Sequence, residues 1–188
     1  MNNEEKILKH LLEHKQQSFT INQIAKILKI NYRIAFEGTK KLGKEGLIRI
    51  IKAGNANHCS FGSNFSEKLF AVEYMRRNEI LKNNNFKILY KRLAKISQQF
   101  IILLFGSYAK KTQTRHSDID LLLISDNDKK IKEELNLLPL DIHVTSVTYE
   151  DFITMLKTRE QTVVSEAMKR NVILFGIEDY YRLLQNAG

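Results

Sequence analysis

Apolar residues recur at every third or fourth position along the first 45 residues, a spacing that predicts three short amphipathic helices. The first helix spans about residues 4–15, and the second begins after a cap at Ser18 or Thr20. The third runs from a cap at Asn31 to about Glu45, where Gly46 suits a helix end. The predicted inward positions are Ile7, Leu8, Leu11, Leu12, Ile21, Ile24, Ala25, Leu28, Ile34, Ala35 and Leu42.

A hairpin and two further helices follow in the pattern. Residues 47–52 and 58–61 are predicted strands, and 53–57 form the turn between them. Helices are predicted over about 66–83 and 86–98. Their candidate buried positions are Leu69, Phe70, Val72, Tyr74, Ile88, Leu89, Leu93 and Ile96.

The pattern changes beyond residue 99, where continuous apolar runs replace the helical spacing. Runs at 100–105 and 119–124 predict buried strands, 140–145 is predicted as a third strand, and 172–175 as a last apolar strand or extended piece. Segment 126–136 is a short polar helix or loop, and helices are predicted over 148–157, 160–170 and 178–184. We therefore expect an α+β or α/β protein with a helical domain over 1–65, a connecting helix over 66–85 and a sheet domain over 86–188.

Charge is distributed unevenly between the two halves. The 188 residues carry a net charge of +9. Residues 1–100 hold 19 basic and 8 acidic residues, whereas 101–188 hold 11 and 13. A basic half beside a slightly acidic half suggests that the first half binds a polyanion such as nucleic acid.

Several classes of protein are excluded by simple counts. The longest strongly apolar run, 100–105, is far too short to cross a membrane, so no membrane partner is expected. The opening residues contain acids and no apolar stretch, so no signal peptide is expected. A single cysteine, Cys59, cannot form an internal disulfide or a zinc cluster, which favours a cytoplasmic location.

Three helices followed by a hairpin resemble the winged helix-turn-helix family over about residues 4–62. In that family the start of the third helix meets base edges in the major groove, and nearby lysines meet phosphate. The resemblance implies binding to double-stranded DNA, with a helical surface for protein contacts as the alternative. The DNA-binding candidates are Asn31, Tyr32, Arg33, Lys40, Lys41 and Lys44 on the third helix, and Lys52, Asn55 and Asn57 on the hairpin.

Two acids begin the second predicted strand of the later half. Residues i and i+2 of a strand face the same side, so Asp118 and Asp120 should converge. Two close carboxylates repel each other unless a cation lies between them. Asp141, which begins a neighbouring strand, could complete an oxygen cage of the kind Mg²⁺ prefers. A pair of Mg²⁺ or Mn²⁺ ions could then clamp an in-line phosphoryl displacement.

The stretch 105–121 resembles the signature of the nucleotidyltransferase superfamily that includes DNA polymerase beta. It has Gly106-Ser107 after a strand, then Ser117-Asp118-Ile119-Asp120, and Asp141 fits the family's third acid. The pattern is most similar to the minimal nucleotidyltransferases and covers about residues 86–184. The resemblance implies that Asp118, Asp120 and Asp141 are catalytic and metal-binding, and that an NTP or dNTP is a substrate.

The nucleotide-binding candidates surround the Gly-Ser turn. Gly106 lets phosphate approach the backbone, and the Ser107 hydroxyl can hold the β- and γ-phosphates. The remaining candidates are Lys110, Lys111, Arg115 and Ser117. Members of the family commonly have glycine where this chain has Lys111, a departure that can alter the turn.

Two functions follow as hypotheses. The first is a metal-dependent enzyme that transfers a nucleoside monophosphate to the hydroxyl of a nucleic-acid 3′ end, a protein or a small molecule. Minimal nucleotidyltransferases paired with HEPN-type toxins modify a protein tyrosine, so an antitoxin with a HEPN-type partner is a variant of this hypothesis. The second is a DNA-binding regulator that uses the transferase fold as a sensor or dimerisation module.

His143 is interpreted as a packed or surface residue, with acceptor contact as the alternative.

Overall fold

Residues 1–73 form one compact unit built from helices and short strands. Its elements are α1 (Asn3–Glu13), β1 (Phe19–Thr20), α2 (Ile21–Leu28), α3 (Tyr32–Lys44), β2 (Ile48–Ala53) and β3 (Ala56–Phe61). The computed structural model describes residues 1–158 and 162–187. A second compact unit comprises residues 74–188, and helix α4 (Glu67–Ile80) contains the division between the two.

Helix ends in this unit follow the predicted capping chemistry. The Thr20 side chain accepts a hydrogen bond from the Gln23 amide, and Asn31 accepts one from the Arg33 amide. Gly46 adopts φ +72° just beyond α3, the left-handed conformation that glycine takes without steric cost. These predicted caps and this helix end are therefore confirmed.

Three antiparallel strands in the order β1–β3–β2 complete the first unit. The order of helix, strand, helix, helix and hairpin is the arrangement of a winged helix-turn-helix, so the sequence-based expectation of this fold is confirmed. The core is formed by apolar residues on the inner faces of all three helices and the hairpin, among them Ile7, Leu8, Leu11, Leu12, Ile24, Ala35, Leu42, Leu47 and Cys59.

The predicted burial of Ile34 on α3 is wrong. Ile34 is 40% exposed, because the face that packs inward is formed by Ala35, Gly38, Thr39 and Leu42. Helix α1 approaches α3 at Gly38, where an added Cβ would lie only 2.8 Å from Ile7 Cδ1. This close approach fixes the rotation of α3 and leaves Ile34 near the surface.

The second unit consists of a mixed four-stranded sheet flanked by helices. Its remaining elements are α5 (Asn84–Leu93), β4 (Ile101–Leu104), α6 (Gly106–Lys110), β5 (Ile119–Ile124), α7 (Lys129–Asn136), β6 (Ile142–Val147), α8 (Tyr149–Lys157), α9 (Val163–Lys169), β7 (Val172–Phe175) and α10 (Ile177–Ala187). The strand order is β6–β5–β4–β7, and only β5 and β6 are parallel among the described strands. The predicted α+β class is confirmed.

Both faces of this sheet are covered. One face packs on α5 and α7 through a cluster that includes Phe86, Leu89, Ile102, Leu121 and Leu135. The alternate positions of β4 and β5 are equally buried, and this side meets α9 and α10. The continuous apolar runs seen in the sequence therefore reflect strands buried on both sides.

The remaining differences from the predicted elements are local. Helix α5 ends at Leu93 instead of residue 98, and Ile88 is 55% exposed, so its predicted burial is wrong. The helix predicted over 160–170 corresponds to α9, and position 160 lies outside the described residues. Within residues 1–158 and 162–187, no helix is long and apolar enough to span a membrane.

Candidate functional site

The start of strand β5 lies beside the turn that follows β4. The Phe105 amide donates a hydrogen bond of 3.0 Å to the Asp120 carbonyl oxygen. Beyond this hydrogen bond, β4 and β5 pair from Leu104 opposite Leu121 to Ile101 opposite Ile124. The backbone at the beginning of α6 is therefore held directly against the backbone of the strand that carries the two acids.

Gly106 is required at this turn for two independent reasons. Its φ of +65° lies in the left-handed region that L side chains rarely adopt. A Cβ added there would lie 2.0 Å from the Asp120 Oδ2 atom. The turn therefore places the Asp120 carboxylate directly over a residue that has no side chain.

The two acids of the Asp-x-Asp motif share one side of the sheet, as strand periodicity predicts. His143 on β6 is the register partner of Asp120 in the parallel β5–β6 pair. Its Nδ1 atom lies 3.7 Å from Asp118 Oδ2 and 4.0 Å from Asp120 Oδ1. The imidazole is largely exposed, as the surface interpretation expected, but it also faces both carboxylates.

Asp120 is the more enclosed of the two acids, and its electrostatics reflect that. Burial raises the pKa of Asp120 above its usual range. The nearby Asp118 carboxylate raises this pKa further, whereas His143 lowers it. Ionisation of Asp120 therefore costs more free energy in the protein than in water, and a bound cation would offset that cost.

Asp141 occupies a more open position than the other two acids. It immediately precedes β6, is exposed, and its carbonyl oxygen accepts a 2.9 Å hydrogen bond from the Ile119 amide. Its side chain lines a cleft of about 450 Å³ together with Asp118, Arg115, Ser117 and Tyr108. Its role as a third metal ligand stays a prediction.

The donor set suits a divalent cation at the Asp118–Asp120 pair. Carboxylate oxygens are the ligands that Mg²⁺ favours, and the mutual repulsion of the two acids is the electrostatic feature that a cation would relieve. Among residues 1–158 and 162–187, however, no three His, Cys, Asp or Glu side chains are gathered closely enough to hold a metal ion. The fold brings Asp118 and Asp120 together with His143 beside them.

The predicted phosphate-binding residues fall on both sides of this pair. Lys110 Nζ lies 3.2 Å from Glu166 Oε1 on α9, and the two border a cleft of about 440 Å³. Ser117 accepts a 2.8 Å hydrogen bond from the Thr114 amide and thereby fixes the loop before Asp118. Glu166 carries no motif in the sequence, and only the packing of α9 brings it to the site.

Lys111 adopts the conformation that explains why glycine suits this position. It ends α6 with φ +59°, in the left-handed region, where glycine would be free of strain. The Thr112 amide nevertheless donates to the Ser107 carbonyl oxygen at 3.0 Å. The turn is kept, and lysine adopts an unfavourable backbone conformation to keep it.

The DNA-binding candidates are not equivalent in the structure. Asn31 caps α3, Arg33 forms a 2.9 Å ion pair with Glu37, and Lys41 Nζ lies 2.8 Å from Glu4 Oε1 on α1. The other candidates are exposed side chains of α3 or the hairpin: Tyr32, Lys40, Lys44, Lys52, Asn55 and Asn57. The fold thus pairs Lys41 with Glu4 on α1, and all three lysines, Lys40, Lys41 and Lys44, are exposed on the helix.

Residues 87–174 match the family described as the nucleotidyltransferase domain. This part of the chain is similar to nucleotidyltransferase domains. The match begins within α5 and ends within β7, so it contains the Gly106 turn, the Asp118–Asp120 pair and His143. The geometry of the site and the family match therefore involve the same residues.

Comparison with solved structures found limited likeness. Reduced HlyU from Vibrio cholerae is 17% identical over 40% of this chain and 76% of its own, with a TM-score of 0.33. A mutant of ZitR from Lactococcus lactis is 25% identical over 48% of this chain and 61% of its own, with a TM-score of 0.33. The archaeal chromatin protein TrmBL2 is 15% identical over 84% of this chain and 65% of its own, with a TM-score of 0.30. No curated protein matches the chain.

Proposed function

We propose that the nucleotidyltransferase domain transfers a nucleoside monophosphate from an NTP or dNTP to an acceptor hydroxyl, and that the winged helix recruits it to DNA. The observation that carries the proposal is the Asp118–Asp120 pair at the start of β5, with the Asp120 carboxylate directly against the Gly106 turn. The same turn brings a backbone without a side chain next to a carboxylate. A triphosphate can approach the backbone at such a glycine, and a cation can bind the carboxylate beside it.

The proposed reaction is a displacement at the α-phosphorus of the nucleotide. The acceptor oxygen forms a bond to the α-phosphorus, the bond to the pyrophosphate oxygen breaks, and the hydroxyl proton is released. Asp118 and Asp120 would hold Mg²⁺ or Mn²⁺, which when bound polarises the phosphate and neutralises its charge. Lys110, Lys111 and Arg115 would screen the triphosphate from the acids beside it.

Binding of DNA is the second part of the proposal. It is supported by the winged helix fold of residues 1–73 and by the exposed basic residues of α3 and the hairpin. The archaeal chromatin protein TrmBL2, compared above, is described as binding DNA. Recruitment to DNA would raise the local concentration of an acceptor held there.

The deciding experiment is a transfer assay with the full chain. Labelled NTPs and dNTPs are incubated with Mg²⁺ or Mn²⁺ and with oligonucleotide 3′ ends or candidate proteins as acceptors. The matched control replaces an exposed acid on α7, Glu133→Gln, which removes one carboxylate outside the motif. We expect transfer by the wild type and by Glu133→Gln, and its loss in Asp120→Asn. No transfer to any acceptor, or equal transfer by all three proteins, would overturn the proposal.

A second candidate is a DNA-binding regulator that senses nucleotides. It is favoured by the exposed position of Asp141 and by the finding that, within residues 1–158 and 162–187, no three His, Cys, Asp or Glu side chains are gathered closely enough to hold a metal ion. A regulator would bind nucleotide without turning it over, and nucleotide would change its affinity for DNA. The two candidates are distinguished by whether labelled nucleotide becomes covalently attached to an acceptor.

A further inference from the structure

Two aromatic side chains near the start of α3 are exposed to solvent. Tyr32 and Phe36 are 55% and 39% exposed, and their rings stack with centroids 6.4 Å apart. They lie four residues apart at the margin of the buried face, three residues before the buried Ala35 and Thr39. An exposed aromatic pair at the margin of a helix face is available to contact a ligand.

The apolar line continues from the helix onto the hairpin. Ile50 on β2 is 37% exposed, and its Cδ1 atom would lie 2.8 Å from a Cβ added to Gly43. Gly43 shares the face of Tyr32 and Phe36, since it follows them by eleven and seven residues on the same helix. Helix and strand therefore present a narrow apolar stripe, which we define as Tyr32, Phe36 and Ile50.

Positive charges border this stripe. Lys40 and Lys44 lie on the exposed face of α3, and Lys52 follows Ile50 on β2. If two copies met through the stripe by two-fold symmetry, these lysines would be brought close to their own counterparts, which is unfavourable. A polyanion that also offers apolar groups fits the combination better.

The polar group best suited to recognising a base on this helix is already engaged. Arginine specifies guanine through paired hydrogen bonds to O6 and N7. In the structure Arg33 Nε lies 2.9 Å from Glu37 Oε1, one turn further along α3. The Glu37 carboxylate competes with a base for the Arg33 guanidinium, whereas the rings of Tyr32 and Phe36 are exposed.

We propose that Tyr32 and Phe36 contact thymine methyl groups in the major groove and that the winged helix therefore prefers A·T-rich duplex DNA. Thymine carries a methyl group that no other standard base presents in that groove, and aromatic side chains pack against it. The proposal rests on the DNA binding proposed above and names its sequence class. It assigns to Phe36 a role that the motif-based candidates did not include.

The test removes only the methyl groups. Affinity of the full chain is measured by fluorescence anisotropy for a duplex of alternating A·T pairs and for the same duplex with deoxyuridine in place of thymidine. We expect the deoxyuridine duplex to bind about fourfold more weakly for each methyl group contacted. Phe36→Ala should weaken binding to the thymidine duplex and shrink the difference between the two duplexes.

Controls separate the competing explanations. Ile88→Ala removes another exposed apolar side chain, from α5, and should keep the full difference. A G·C duplex in which cytosine carries a 5-methyl group should bind more tightly than the unmethylated one, since the methyl occupies the same groove. Circular dichroism checks that Phe36→Ala is folded, as expected for a change at an exposed position.

Each outcome bears on a distinct claim. Equal binding of the thymidine and deoxyuridine duplexes overturns this inference but leaves DNA binding intact. No binding to any duplex at low salt overturns both this inference and the recruitment part of the proposed function. A wild-type dimer that Phe36→Ala converts to a monomer in light scattering would identify a second copy as the occupant of the stripe and overturn the inference.

Discussion

The carboxylate of Asp120 occupies the space that a side chain at Gly106 would need. An added Cβ would lie 2.0 Å from Asp120 Oδ2, well inside any permitted contact. The two residues are fourteen positions apart in the chain, and the pairing of β4 with β5 brings them together. A side chain at position 106 is therefore incompatible with the place that the Asp120 carboxylate occupies.

Replacement of Gly106 tests this pairing. In Gly106→Ala we expect loss of transfer activity and a loss of stability greater than the roughly 1–2 kcal/mol typical of a left-handed L-residue, because the new methyl group also displaces Asp120. Gly54→Ala is the matched control, since Gly54 has φ +56° with no atom within 4 Å of an added Cβ. Thermal melts and the transfer assay measure both effects. Equal destabilisation in the two variants would show that Asp120 is not crowded.

Removal of the Asp120 charge tests the cation site. We expect Asp120→Asn to lower the transfer rate by roughly 100-fold to 1,000-fold, the range for losing one key electrostatic contact. Mg²⁺ should raise the melting temperature of the wild type and of Glu133→Gln but have little effect on Asp120→Asn. An unchanged response to Mg²⁺ in Asp120→Asn would place the cation elsewhere.

The raised pKa of Asp120 makes a separate prediction for the protein in EDTA. Because burial raises this pKa in the folded state, the folded protein holds the proton more tightly than the unfolded chain does. Stability from the protonated form is present below the ordinary Asp pKa and is lost as pH rises through the raised one. We therefore expect Asp120→Asn to be more stable than the wild type at neutral pH and equal to it near about pH 3. A difference that grows towards low pH in thermal melts would contradict the assignment.

Lys111 offers a test that separates stability from binding. Lys111→Gly should stabilise the protein by about 1 kcal/mol, because glycine adopts φ +59° without strain. The same change should weaken nucleotide binding if the lysine screens triphosphate charge. Lys29→Gly, also in a left-handed position, should stabilise without changing nucleotide affinity. Titration calorimetry showing unchanged nucleotide affinity in Lys111→Gly would remove Lys111 from the binding site.

Neighbouring lysines on α3 should differ in their effect on DNA binding. The sequence assigns phosphate contacts to both Lys40 and Lys41, but Lys41 is paired with Glu4 in the structure. Lys40→Ala should therefore flatten the dependence of log K on log salt by about 0.9. Lys41→Ala should leave the slope nearly unchanged. Anisotropy titrations over a range of salt concentrations measure the slopes, and equal slopes for the two variants would contradict the distinction.

Local chemistry made much of the first unit predictable. The caps at Thr20 and Asn31 and the left-handed Gly46 follow from interactions within a few residues of each helix end. Burial predicted from helical spacing failed at Ile34 and Ile88, because spacing gives the existence of an apolar face but not its rotation. At Ile34 that rotation depends on Gly38, which allows α1 to approach α3 closely.

The sequence by itself determined that Gly106 follows a strand and that Asp118 and Asp120 begin the next one. The side-chain period of two in a strand then places both acids on one side of the sheet. The partners of those acids were decided only by the tertiary structure. The parallel register of β5 and β6 places His143 opposite Asp120, and the packing of α9 brings Glu166 to Lys110. Register and helix packing depend on residues far apart in the chain, whose pairing is fixed by burying the whole sheet and not by any local pattern.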